Sequence, residues 1–192
     1  MNRRLLKVVL ALVGGFVLLG VIITGGFVFA AVQESRDSFC ISCHTQPEST
    51  YYQRSQETKP VDLGSFHKTK EVRCIDCHSG AGLGGRVQAE LLGFHNAVAW
   101  FTNSAVQPAR LTAPIRDENC LKCHQQLTTR EDQENHFHAF LARWQAVDAK
   151  AATCVSCHTG HSTDGRPEDL FLVREPTLAV CNACHNVLRE GD

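Results

Sequence analysis

Methionine is nearly absent from this chain. Of 192 residues only Met1 is one, so no internal thioether side chain is available to ligate a metal. Net charge is nearly absent too, with 19 basic against 20 acidic residues and a formal charge of −1. The chain therefore lacks the excess of positive charge that a nucleic-acid partner requires. With 43% hydrophobic and 20% charged residues, it is not a disordered tail. Its length is that of about one domain. Against these scarcities stand ten cysteines and ten histidines, and ten cysteines in so short a chain imply disulfides, a metal or a covalently held cofactor.

Every cysteine falls in a Cys-x-x-Cys pair and every pair is followed by histidine. The pairs are Cys40/Cys43 with His44, Cys74/Cys77 with His78, Cys120/Cys123 with His124, Cys154/Cys157 with His158 and Cys181/Cys184 with His185. This is the attachment signature of c-type haem, repeated five times with no cysteine left over. Two thiols three positions apart on one helical turn add to the two vinyl groups of a porphyrin. The adjacent histidine projects from the same turn as the proximal iron ligand. Zinc ribbons use Cys-x-x-Cys pairs in twos and need no histidine after each, a thioredoxin-like site uses one pair, and a disulfide framework leaves the histidines unexplained. The expected cofactors are five covalently attached haem c groups.

Five histidines remain once the proximal ones are assigned: His67, His95, His136, His138 and His161. A low-spin electron-transfer haem takes a sixth ligand, usually His or Met. With no internal Met, bis-histidine ligation is the natural account, and these five are the predicted distal ligands. For each of them the alternative is a surface or hydrogen-bonded histidine. For one haem the alternatives are five-coordination, Lys or water. The pairing of distal histidines with motifs stays open.

The N-terminus carries Arg3, Arg4 and Lys7 ahead of an uncharged run from Val8 to Val32. As a helix these 25 residues reach about 37 Å, enough to cross a hydrocarbon core of about 30 Å. A cleaved signal peptide is the alternative, with Val28-Phe29-Ala30 as a loose cleavage site, but its apolar region is usually only about 7–15 residues. We read a single membrane anchor in residues 1–32, whose basic tip stays in the cytoplasm. Residues 33–192 then form a haem domain on the periplasmic side of a bacterial cytoplasmic membrane. Gly14 and Gly25 stack on one stripe of this helix and Gly15 and Gly26 on the next, a small-residue face on which another helix can pack.

The haem domain has 160 residues for five haems, too little chain for an independent apolar core. The expected fold class is mainly α with extensive loops, its core built by the porphyrins. Motif starts lie 34, 46, 34 and 27 residues apart. The repeated 34 suggests two related two-haem modules and a terminal fifth motif. Two longer helices are predicted. One covers 86–103 after a flexible glycine-rich stretch at 80–85, with Leu91, Leu92, Val98 and Ala99 sharing the face of His95; a membrane-surface or partner-facing helix is the other reading of it. The second covers about 130–149, with a capping-box-like start at Thr129-Arg130-Glu131-Asp132. On it His136 and His138 lie about 200° apart and would serve different haems. His161 follows His158 by three residues and should reach a neighbouring haem. Without Arg3, Arg4 and Lys7 the outer part has 16 basic and 20 acidic residues, a charge of −4 before the haem propionates are added.

An anchor followed by Phe39-Cys40-Ile41-Ser42-Cys43-His44 resembles the NapC/NirT family of quinol-oxidising cytochromes. Those proteins usually carry four haems, and many have a Met shortly after the first motif, where this chain has Thr45-Gln46-Pro47-Glu48. The family's quinol site is therefore not carried over. Five haems behind one helix also resemble ActA, the pentahaem subunit type of alternative complex III. That resemblance implies an electron relay with no catalysis of its own. Its implied partners are an iron–sulfur subunit, a monohaem cytochrome and polytopic membrane subunits of a quinol-oxidising complex. The NapC/NirT resemblance implies instead a dehydrogenase that takes electrons directly from menaquinol. A nitrite or hydroxylamine reductase fits poorly, because all five motifs end in His and five spare histidines leave no open iron position.

Overall fold

The computed structural model describes residues 3–43, 45–111, 114–129, 136–148 and 151–187. Among them the chain is helical and holds no β-strand, only an isolated antiparallel bridge between His158 and Leu172. Helix α1 runs Arg3–Gln33 with no buried residue, and it is long and apolar enough to cross a membrane. It begins five residues before the uncharged run, because Arg3, Arg4 and Lys7 are good helix formers that leave the backbone ladder intact.

Beyond α1 the elements are short. Helix α2 covers Asp37–Cys40, α3 Glu48–Ser55, α4 Leu63–Lys68 and α5 Cys74–His78. Helix α6 covers Gly82–Phe101, α7 Asp117–His124, α8 His136–Val147, α9 Cys154–Cys157 and α10 Arg174–Val187. Single 3₁₀ turns follow α7 at Gln125–Thr128 and precede α10 at Pro167–Asp169. Four of the five Cys-x-x-Cys pairs begin in or lie within a helix of the outer part that extends past the first cysteine, while α2 stops at Cys40 and leaves Cys43 in a turn.

The glycine-rich stretch is not the flexible tether its composition suggests. Gly80 has φ +72°, and a Cβ there would stand 2.5 Å from the carbonyl oxygen of Gly85. The two backbones touch, so the chain doubles back and starts α6 at Gly82, four residues earlier than expected. At the other end Asn103 takes a left-handed φ of 54° and the Ser104 amide donates to the Ala99 carbonyl at 2.8 Å. This C-terminal cap stops the helix at Phe101 rather than Asn103. The second expected helix is seen as α8. Its proposed capping box at Arg130, Glu131 and Asp132 lies outside the described residues, as does Ala149, and Asp148 is already past the helix.

The apolar interior of the outer part is small. Among the described residues the buried hydrophobic side chains are Leu141, Ala152, Cys157, Phe171 and Val173. A compact domain of this length would ordinarily bury about two thirds of its chain surface. What the protein atoms bury instead is polar: Asp37, Asp62, Ser65 and Glu90. Each of these anchors a turn or ties two elements together.

Candidate haem sites

Two of the motif helices, α5 and α9, are fixed at their N-termini from a distance. The Asp37 carboxylate, at the start of α2, accepts the amide hydrogen of Cys74 at 2.9 Å. The Asp117 carboxylate, at the start of α7, accepts that of Cys154 at 2.7 Å. Each carboxylate therefore caps the helix of the following motif, 37 residues on, where a negative charge meets the positive end of the helix dipole. The motif's own variable residues complete the caps. The Arg73 amide donates to Asp76 at 2.9 Å, and the Thr153 amide donates to the Ser156 hydroxyl at 3.0 Å.

These contacts bring motif cysteines together in pairs. The Cys40 and Cys74 thiols are close enough to shift each other's ionisation, which lowers the pKa of Cys40 and, with burial, raises that of Cys74. The Cys120 and Cys154 thiols stand in the same relation, and Cys154 pulls Cys120 down to about 7. Between the pairs, the Lys122 ammonium donates to the Asp76 carbonyl at 2.9 Å. Cys77 there feels the electrostatic influence of Cys120 and Cys123 behind the larger effect of its own burial. Cys157 stands in the same relation to Cys181, where α10 packs on α9. The five motifs thus follow one another in space as they do in sequence. All ten cysteines are unpaired thiols, with no disulfide between them.

Three histidine pairs face each other across the motifs. His67 and His124 have ring centroids 6.1 Å apart with planes at 86°. His78 and His161 stand 6.4 Å apart at 10°, and His138 and His158 stand 6.2 Å apart at 14°. Two in-line metal–nitrogen bonds of about 2 Å, with the ring radii added, separate imidazole centroids by about 6 Å. Each pair joins one motif histidine to one spare histidine at the spacing of two axial ligands on one metal atom. Among the described residues no cluster of three or more His, Cys, Asp or Glu surrounds a point where a bare ion would sit. Two imidazoles per centre, beside two thiols on a helical turn, fit a porphyrin iron.

The rings are oriented from behind. The Nδ1 of His67 lies 2.9 Å from the Leu63 carbonyl and that of His158 lies 3.0 Å from the Leu170 carbonyl. A carbonyl only accepts, so these Nδ1 atoms carry the proton and each Nε2 keeps its lone pair for a metal. Burial first, and then the facing His158, lowers the pKa of His138, favouring the neutral form that ligates.

His161 is held differently. Tyr51 stacks on it with centroids 4.0 Å apart and planes at 7°. The Arg54 guanidinium donates to its backbone carbonyl at 3.1 Å. The fully buried Asp62 faces its Nδ1 at 3.9 Å, beyond direct hydrogen-bond reach. Asp62 itself caps α4, accepting the Ser65 amide at 2.7 Å. Burial works against its ionisation, but the nearby His161 ring and the hydrogen bond from Ser65 hold the carboxyl down at about 2.

His95 on α6 and His185 on α10 are exposed, and among the described residues neither stands in a facing pair; His136, the first residue of α8, is exposed as well. His44 lies outside the described residues. Asp37, Asp117, Asp62, Tyr51 and Gly64 are contributors that motif reading misses. For the first two a signal exists, because Asp-x-x-Cys-x-x-Cys-His occurs at the first and third motifs and at no other.

The sequence profile of the NapC/NirT cytochrome c family, N-terminal region, matches residues 1–164. The match takes in α1 and the first four motifs and ends before the fifth. No curated protein and no solved structure matches the chain. With an apolar helix of membrane-spanning length at its N-terminus and motif cysteines suited to covalent haem c, the chain belongs to the NapC/NirT cytochrome c family of membrane-anchored multihaem electron-transfer cytochromes.

Proposed function

We infer that the chain is a pentahaem relay, anchored by α1 with its haem domain on the periplasmic side. It passes electrons from a quinol-oxidising module with iron–sulfur and polytopic membrane subunits to a periplasmic acceptor such as a monohaem cytochrome, as a subunit of alternative complex III. The observation that carries this reading is the set of facing pairs His67/His124, His78/His161 and His138/His158. Covalent haem c supplies a one-electron centre at each motif. The two histidines at each pair would hold the haem iron between them and leave no site there for a substrate. The Asp37 and Asp117 caps hold successive motifs in contact, and His67 and His161 each reach across to a motif of the other module. A chain whose three paired centres are held close and closed to substrate is suited to conduct electrons rather than to act on a substrate at those centres.

A second reading, a dehydrogenase oxidising menaquinol directly, is favoured by the family match over residues 1–164. One experiment separates the two. The holoprotein is purified in mild detergent, its co-purifying subunits are identified, and a menaquinol analogue is added to the isolated chain. The relay predicts co-purification with an iron–sulfur subunit and no haem reduction by quinol in the isolated chain. Rapid reduction of the isolated chain would establish the second reading instead.

A further inference from the structure

Helix α6 is the longest helix outside the anchor among the described residues, and six of its eight large apolar residues are sorted to one side, with Leu92 and Trp100 off it. Leu83, Val87, Leu91, Phe94, Val98 and Phe101 recur at intervals of four, four, three, four and three residues. At about 100° per residue they fall within a sector of about 80°. All six are exposed, Leu83 to 88%, Phe94 to 70% and Phe101 to 84%. From Leu83 to Phe101 the stripe is about 27 Å long. An exposed apolar surface of this extent marks an interaction site. A haem held by His95 does not account for it. His95 projects about 80° from the stripe's centre, and a single porphyrin there leaves the first and last turns uncovered.

The position of α6 identifies what covers the stripe. Glu34 is the first residue after α1, and its carboxylate pairs with the Arg86 guanidinium, which also pairs with Glu90. The same Glu34 carboxylate lies 3.8 Å from where a Cβ on Gly93 would stand. Arg86, Glu90 and Gly93 are two turns on one side of α6, all gathered around the last turn of the anchor. No residue of α1 is buried, so α6 crosses the end of α1 and does not run beside it. The ion-paired side of α6 adjoins the stripe, and together they make one continuous underside.

We propose that α6 lies flat on the bilayer where α1 leaves it, with the stripe of Leu83, Val87, Leu91, Phe94, Val98 and Phe101 seated among the lipid headgroups down to the acyl-chain boundary. The proposal rests on the anchor reading of α1. Phe94 and Phe101 on the stripe suit that depth, where the apolar face of an interfacial helix carries Trp, Phe and Leu. Arg86 and Glu90 are the only charged residues of α6 and are spent on each other and on Glu34. Attachment is therefore hydrophobic, indifferent to lipid charge and to salt. With two contacts on the membrane, the anchor and α6, the motifs stand at a fixed height above it.

The test uses the full-length holoprotein in nanodiscs of uncharged phosphatidylcholine. Once haem is attached the ten native cysteines are thioethers, so a single added cysteine is the only thiol. Leu83→Cys and Phe94→Cys are compared with Glu57→Cys on the exposed outer surface and Val17→Cys within the anchor, with haem absorbance reporting that each variant folds. Phe94→Cys and Leu83→Cys should react with a charged maleimide at least about tenfold more slowly than Glu57→Cys, and readily with an uncharged, bilayer-soluble one. Reaction with the charged reagent at the Glu57→Cys rate would place the stripe in water and overturn the proposal. Protection from both reagents would place it against protein or haem and overturn it equally. Val17→Cys should be protected from the charged reagent throughout; if it reacts freely, the anchor reading falls instead.

Discussion

The imidazoles of His67 and His124 stand crossed at 86°, whereas the planes of His78 and His161 differ by only 10°. Crossed axial imidazoles donate into two different iron d orbitals and leave them nearly degenerate. Parallel ones, as at His78/His161 and His138/His158, split them. Electron paramagnetic resonance of the oxidised holoprotein should therefore show one strongly anisotropic low-spin signal and two rhombic ones from these three centres. His67→Ala should remove the anisotropic signal alone and produce one high-spin haem. Loss of a rhombic signal in its place would mean that His67 serves another centre.

Gly64 backs the ring of His161, one of the facing histidines. A Cβ at Gly64 would lie 2.8 Å from Cε1 of His161, and its amide donates to the Gly160 carbonyl at 2.8 Å. Its φ is ordinary, so alanine costs nothing in backbone strain and the whole effect falls on the histidine. Gly64→Ala should push His161 off axis and weaken the His78 centre, read as partial high-spin conversion of one haem with haem content unchanged. A fully low-spin Gly64→Ala protein would show that the loop of His161 yields instead.

Asp37 gives the fold an acid limit. Burial alone would raise its pKa, but the Lys68 ammonium at 2.5 Å and the Cys74 amide outweigh burial and hold it below the usual 3.8. A carboxylate depressed in the folded state contributes fully above its unfolded pKa, and that contribution fades as pH falls through the folded one. Asp37→Asn should cost about 1–3 kcal/mol near neutral pH. The difference from wild type should shrink below about pH 4. Denaturant titrations at several pH values, followed by far-ultraviolet circular dichroism, test the sign. A difference that widens in acid would contradict it.

The fifth motif is the most separable. It sits on α10 at the end of the described chain and packs on α9. Cys181→Ala combined with Cys184→Ala should lower the intact mass by one haem and leave the three facing-pair centres low-spin. The wild-type mass should correspond to five. A wild-type mass corresponding to four haems would remove the fifth motif from the relay.

Much of the site was legible because covalent attachment is written in contiguous residues. Cys-x-x-Cys-His needs one helical turn, and a turn is local. The anchor was legible for the same reason, since its length and apolarity are properties of one uninterrupted run. The modular repeat showed only faintly as two spacings of 34. Its physical basis, Asp37 and Asp117 capping helices 37 residues downstream, lies in hydrogen bonds between segments that spacing alone does not register. Glycine composition misled at 80–85, where the backbone contact of Gly80 with Gly85 converts an expected tether into a helix start.

By itself the sequence determined how many Cys-x-x-Cys-His motifs there are, which histidine adjoins each, and that no internal Met competes with the five spare histidines as a ligand. Those are matters of residue type and of bonds within a single turn. Which spare histidine faces which motif was decided only by the tertiary structure. His67 crosses from the first module to His124 in the second, His161 crosses back to His78, and His138 stays within its own module at His158. A distal ligand is bound to its partner through space and not through the chain, so its address is set by how α4, α8 and the loop at Gly160 fold against one another.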